Sequence, residues 1–221
     1  MAITINGNGT VTGADIGLVS QQVFTSSGTW TKPSNVRRVK VYVTGGGGAG
    51  GGYGATNDFG GSGGGGGTAI KIIDVTSISS VTVTIGAGGA ADAQNHGAPG
   101  GTSSFGSHAT ATGGGGAQDG NHGPVIGGGG GSGASGDYNI KGGDGGCGFD
   151  NFFIPSGSSN YSSALNVGGA SYWGGGGKGS TYTTDAEDGQ AYGTGGGGDH
   201  SANSGVAGDG KAGIVIVEEY K

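Results

Sequence analysis

Val36-Arg37-Arg38-Val39-Lys40-Val41-Tyr42-Val43-Thr44 runs without a break into Gly45-Gly46-Gly47-Gly48-Ala49-Gly50-Gly51-Gly52, and the fold turns on how these two halves are read. In the first half Val39, Val41 and Val43 alternate with Arg38, Lys40 and Tyr42, the period of two that buries one face of a strand. The second half has almost no side chains with which to make a core. Similar strand patterns recur at Ala69 to Val75, at Val81 to Ile85 with Thr82 and Thr84 opposite, and at Gly213 to Tyr220, where Ile214-Val215-Ile216-Val217 is continuously apolar. Glycine-dominated runs fill the intervals at 45–52, 60–67, 86–89, 97–101, 113–116, 126–133, 141–148, 167–179, 189–198 and 205–213, ten in all.

Composition sets the problem these runs must solve. Gly (63) and Pro (4) make 67 of 221 residues, a share usually associated with disorder. Sixteen aromatics (2 Trp, 8 Tyr, 6 Phe) and a charged content of only 11% argue for an ordered chain instead. Hydrophobic residues are 31% of the total, so an ordinary apolar core is not expected to be the main support. Glycine loses more backbone entropy on ordering than any other residue, and something must offset that loss. Polyproline-II-type helices make no internal hydrogen bonds and point every N–H and C=O outward. Bundled side by side, they would satisfy one another's backbone groups. The expected fold class is therefore mainly non-helical β/polyproline-II: a small antiparallel β region plus a layered bundle of about ten polyglycine II helices. Collagen is excluded by the Gly-Gly-Gly-Gly runs and the scarcity of proline. In such a bundle, Gly129→Val is expected to be strongly destabilising.

If each run reverses direction at its end, ten runs return the chain to the strands, where Gly213 to Tyr220 can pair beside Val36 to Thr44. This count requires Ser171-Tyr172-Trp173 to lie within one long run. The segments far from the strands are then 53–59, 90–96, 117–125, 149–166 and 199–204. They carry Tyr53, Asn57, Phe59, Asn95, His96, Asn121, His122, Phe149, Phe152, Phe153, Tyr161 and His200, the candidate binding residues. The cluster Phe149-Asp150-Asn151-Phe152-Phe153-Ile154-Pro155 stands out, because exposed aromatics are enriched at binding hot spots. Folding back to cap the bundle is the competing role for that loop.

The strand and glycine run quoted above, preceded by Phe24-Thr25-Ser26-Ser27-Gly28-Thr29-Trp30-Thr31-Lys32-Pro33 and closed by Gly213-Ile214-Val215-Ile216-Val217, resemble the glycine-rich domain of bacteriophage tail fibres. The resemblance covers roughly residues 22 to 221 and extends to the receptor-binding adhesins at the tips of T-even-like long tail fibres. Ile3-Thr4-Ile5-Asn6-Gly7-Asn8-Gly9-Thr10-Val11-Thr12-Gly13 is similar in style to phage fibre segments, a weaker signal. The resemblance implies a virion component that recognises a host through loops at the end of a rigid bundle. It further implies an N-terminal attachment segment (1–35) ahead of the glycine-rich part (36–221). Its partners would be a bacterial outer-surface receptor, an outer-membrane protein or a glycan, and a fibre shaft or baseplate protein. The first 44 residues do not clearly match the attachment domain of the tip adhesins, so a monomeric tip and a homotrimeric fibre end both stay open.

Other functions find little support. Net charge is −6 with scattered basic residues, the opposite of a nucleic-acid footprint. The start of the chain lacks the basic and apolar stretches of a signal peptide, which points to synthesis in the host cytoplasm and release by lysis. Gly45 to Gly50 satisfies G-x-G-x-x-G after a strand, but Gly51-Gly52-Tyr53-Gly54 begins no helix to meet a pyrophosphate. Gly174 to Ser180 fails as a phosphate loop because Gly179 separates Lys178 from Ser180. Gly142-Gly143-Asp144-Gly145 opens like a calcium nonapeptide, but Cys147 stands where the ligand should be. Cys147 alone can form no internal disulfide and is expected to be a small buried residue. His96, His108, His122 and His200 lack metal spacing. Asp150, Asp185, Glu187 and Asp188 single out no catalytic pair for glycoside cleavage. Neither cofactor nor enzymatic activity is expected. Two alternatives of other classes are a structural fibre or capsid decoration subunit and an ice-binding protein. The second would favour small residues at every third position, which bulky residues interrupt here.

Overall fold

The computed structural model describes residues 4–5, 11–12, 17–53, 59–120, 125–148, 166–181, 184–199 and 206–221. Its strands are β1 (Thr4–Ile5), β2 (Val11–Thr12), β3 (Leu18–Phe24), β4 (Gly28–Thr31), β5 (Arg38–Thr44), β6 (Thr68–Asp74), β7 (Ser80–Thr84), β8 (Ser103–Phe105), β9 (Ala109–Ala111), β10 (Gly133–Ala134), β11 (Tyr138–Ile140) and β12 (Ile214–Tyr220). β1 and β2 pair with each other. The others form two antiparallel five-stranded sheets, ordered β11-β6-β5-β12-β3 and β10-β9-β8-β7-β4. The last strand lies beside the quoted one, with Val217 opposite Val41.

The two sheets enclose an apolar core. Val39, Val41 and Val43 of β5 and Val215 and Val217 of β12 are fully buried on one side. Val83, Phe105, Ala109 and Ala111 meet them from the other sheet, with Trp30 between. The Trp30 and Phe105 rings lie 5.6 Å apart, centroid to centroid, tilted by 58°. One buried carboxylate crosses this core. Glu219 accepts hydrogen bonds from Trp30 Nε1 (2.7 Å) and Gln22 Nε2 (2.7 Å), and also from the Ser20 hydroxyl. It thereby ties β3 and β4 to β12.

The expected fold class is thus corrected. In place of a small β region beside a bundle of about ten polyglycine II helices, the chain is all-β with two five-stranded sheets, and no helix is present among the described residues. The physical reason is concentration: the apolar residues are few, but alternation in β5, β6, β7 and β12 puts them on facing surfaces, enough to build a sandwich core.

The glycine runs are extended chain laid side by side and joined by backbone hydrogen bonds. From 45–52, the N–H groups of Gly45, Gly48 and Gly51 go to Gly67, Gly64 and Gly61, at 2.8 to 3.0 Å. Those of Gly46, Ala49 and Gly52 go to Gly101, Ala98 and Asn95, and those of Gly47 and Gly50 to Lys211 and Gly208. Successive residues thus face three directions in turn. Carbonyls of the same segment accept from Gly114, Gly89 and Gly196, so 45–52 is enclosed by neighbours on every side. The same holds for 60–67, and every residue of both segments is buried. Missing side chains permit the approach: a Cβ on Gly48 would sit 2.0 Å from the carbonyl oxygen of Gly115, and one on Gly63 2.1 Å from that of Gly48.

Four further expectations change. Ser171-Tyr172-Trp173 does not continue a run but makes a tight turn, closed by the Ser171 N–H to the Gly174 carbonyl (3.0 Å). Trp173 Nε1 then donates to Thr44 Oγ1 (2.9 Å), so this turn sits at the sheet end. A second sheet-end turn falls at 190–193, where Gly193 takes φ 75°, a left-handed conformation suited to glycine. The count of ten runs is therefore too low. Gly129 is exposed, and a Cβ there would meet nothing within 4 Å, so its expected intolerance of valine is overturned. Cys147 is exposed, not buried.

Candidate functional site

At the end of the glycine segments away from the sheets, the stems of several loops come together. Residues 45–52 leave β5 directly and 60–67 enter β6 directly, so Tyr53 and Phe59 stand at most about 32 Å of extended chain from the strands. Tyr53 bridges to Gly120. The Gly52 N–H donates to the Asn95 carbonyl (3.0 Å), and the Gly52 carbonyl accepts from Gly120 (3.0 Å). Asp199 closes the other side, donating to the Gly51 carbonyl (3.1 Å) and accepting from Gly60 (2.9 Å). Val125 and Gly148 pair at the same level.

Of the candidate binding residues, Tyr53, Phe59, Asn95 and His96 are gathered at this end. Tyr53 is half-buried, while Asn95 and His96 are exposed. Phe59 is only 6% exposed, which removes its side chain from any contact surface and makes it part of the support. His96 Nδ1 lies 2.6 Å from Asp119 Oδ1 and 3.0 Å from the Asp119 amide nitrogen, holding the 90–96 loop to the 113–120 segment. The backbone N–H of Gln94, and then the Asn95 side chain, hold the Asp92 carboxyl below the usual carboxylate range. Asn57, Asn121, His122, Phe149, Phe152, Phe153, Tyr161 and His200 lie outside the described residues.

One feature of this end was not foreseen. The sheet-end turn at 171–174 sends the chain outward again, and Thr181 and Thr184 close a further turn there (N–H to O, 2.9 Å). Their hydroxyls lie 2.7 Å apart. Only the hairpin itself, Ser171-Tyr172-Trp173-Gly174, signals it in the sequence, as a bulky interruption between glycine runs.

The chemistry of this end is polar contact. The described residues there supply amide, imidazole, hydroxyl and phenol groups on fixed stems. Among the described residues no group of three or more His, Cys, Asp or Glu is placed to hold a metal ion. No curated protein matches the chain. A family model described as a glycine-rich domain matches residues 22–220, from β3 through β12. The protein therefore belongs to the glycine-rich domain family.

Proposed function

We propose that this chain is a non-enzymatic phage tail-fibre adhesin, a virion protein that recognises a receptor on the bacterial surface through the loops at its glycine end. The observation that carries the reading is the separation of roles along the molecule. Both strands that begin and end the matched region, β3 and β12, pair with each other in the sheet. The loop stems are held at the opposite end by backbone hydrogen bonds between segments whose inner glycines, Gly48 and Gly63 among them, leave no room for a Cβ. Loops held on a rigid base lose less entropy on binding, which favours affinity. The sheet end is then free to join a fibre shaft or baseplate protein. The resemblance of residues 22 to 221 to tail-fibre domains supports the same reading, and an outer-membrane protein or a glycan is the receptor class it fits.

The test is binding of the purified, fluorescently labelled protein to a panel of bacterial strains, repeated with 149–165 replaced by a short Gly-Ser linker, which keeps the buried Asn166 and its hydrogen bonds to Ser62 and Gly60. Strain-selective binding that disappears on replacement, with an unchanged melting temperature, is the expected result. Absence of binding across a broad panel would remove the adhesin reading.

A further inference from the structure

A lattice of bare glycine joins its segments without fixing where along one another they sit. Its N–H and C=O groups are alike and the pattern repeats every three residues, so a segment slid by one repeat, about 9 Å, meets equivalent partners. Segments 45–52, 60–67 and 206–213 escape this because they run straight into β5, β6 and β12, whose alternating side chains set the register. Between Ile140 and Ile214 no strand lies among the described residues. Segments 166–170, 174–181, 184–189 and 193–199 therefore need another means of alignment.

We propose that Ser62 and Asn166 are positioning residues, a buried register lock that sets the height of the loop feet. Both side chains are enclosed in the bundle, Ser62 at 0% and Asn166 at 1% exposure. The Ser62 hydroxyl donates to Asn166 Oδ1 and accepts from the Gly198 N–H (3.0 Å). The Asn166 amide donates in turn to the Gly60 carbonyl. Segments 60–67, 166–170 and 193–199 are thus joined at one level. Asn166 directly follows 149–165, Gly198 and Asp199 directly precede 200–205, and Gly60 comes just after 54–59, so the feet of three predicted loops meet there. The fit is specific to position: a Cβ on Gly198 would lie 2.5 Å from Asn166 Nδ2, so glycine is what admits the amide. Slid by one repeat toward the loops, 166–170 would set Gly169 beside Ser62 and leave a buried hydroxyl without its acceptor. The full desolvation penalty of that hydroxyl then opposes the slip. A buried asparagine fixes the register of a coiled coil in the same way. At the sheet end the bond from Trp173 Nε1 to Thr44 Oγ1 (2.9 Å) holds the turn that follows 166–170, so this run is pinned from both sides. The lock does not depend on the adhesin reading; its effect on receptor binding rests on it.

Double electron–electron resonance on the full chain tests the lock, with the exposed Cys147 replaced by serine and nitroxides carried by Val167→Cys and Ile72→Cys, at positions 41% and 61% exposed. Trp173→Ala, which frees the sheet-end pin, should alone keep a single distance. Trp173→Ala combined with Ser62→Ala, or with Asn166→Ala, should add a second distance about 9 Å from the first, one three-residue repeat. Both combinations should also bind bacteria about tenfold more weakly than Trp173→Ala, because the loop feet no longer share one level. A single unchanged distance in both, whatever the fall in melting temperature, means that the two side chains only fill space and overturns the proposal. Two distances in Trp173→Ala alone overturn it as well. In the unmodified chain the Gly198 amide should exchange as slowly as that of Gly63, and exchange at the rate of an exposed amide overturns the lock without any variant. A chain that shows the register shift but binds no strain leaves the lock standing and removes the adhesin reading.

Discussion

At Gly48 the space for a side chain is already taken by the Gly115 carbonyl, whereas at Gly129 it is open solvent. Both residues sit inside runs of four or more glycines, and nothing local distinguishes them. Their difference is set by segments distant in the chain, which is why the sequence pattern misplaced the sensitive position. Gly48→Ala should destabilise by about 3 kcal/mol or more, since the obstructing atoms are backbone and cannot rotate away. In a chain of this size that lowers Tm by roughly 10 °C. Gly129→Val should stay within about 1 kcal/mol of the parent, because the lost contacts are nil and the unfolded chain loses freedom. Thermal melts of the two variants side by side decide the point. Asp92 offers a second test at this scale. Its carboxyl is held low by Gln94 and Asn95, so the turn it closes gains stability above the unfolded pKa of about 3.9 and loses it as pH falls through the lower folded value. The protection of the Gln94 amide, taken relative to its intrinsic exchange rate at each pH, should therefore fall only in that acid window, and Asp92→Asn should remove that change in protection.

Among the elements, β5 and β12 were legible because alternation and a continuous Ile-Val run each have one physical reading, and they pair as adjacent strands. β8 to β11 are two or three residues long and carry no period that a sequence reading can detect. The turn at Ser171-Tyr172-Trp173 was missed for another reason. Its aromatics are held by Tyr42 and Thr44, more than a hundred residues earlier, and no local turn chemistry announces it. Glu219 was equally hidden, an acid inside a strand whose three donors come from β3 and β4. Glu219→Ala should leave the buried Trp30 N–H unpaired and cost about 2 to 3 kcal/mol, a fall in Tm of roughly 5 to 10 °C. Glu219→Gln, which keeps the shape and an acceptor oxygen, should cost less. Equal losses for the two would mean that neither the shape nor a single retained acceptor oxygen contributes, and that the stabilisation comes from the carboxylate itself.

For the molecule as a whole, the sorting of the chain into a strand end and a loop end followed from counting runs, and Tyr53, Asn95 and His96 reach the loop end as that count required. The count erred by placing one sheet-end turn between 167–179 and 189–198 where the chain makes two, at 171–174 and 190–193, yet the error preserved direction, because the outward turn at Thr181 and Thr184 lies between them. Which loop side chains make contact was never legible, since loop recognition has no period and no fixed spacing. The enclosure of 45–52 and 60–67 has one more consequence, a mechanical one. A pull between the loop end and the sheet end runs along the segments, at right angles to the hydrogen bonds that join them. Those bonds are then sheared together and not unzipped one at a time, so the molecule is built to bear tension along the axis on which its two ends lie.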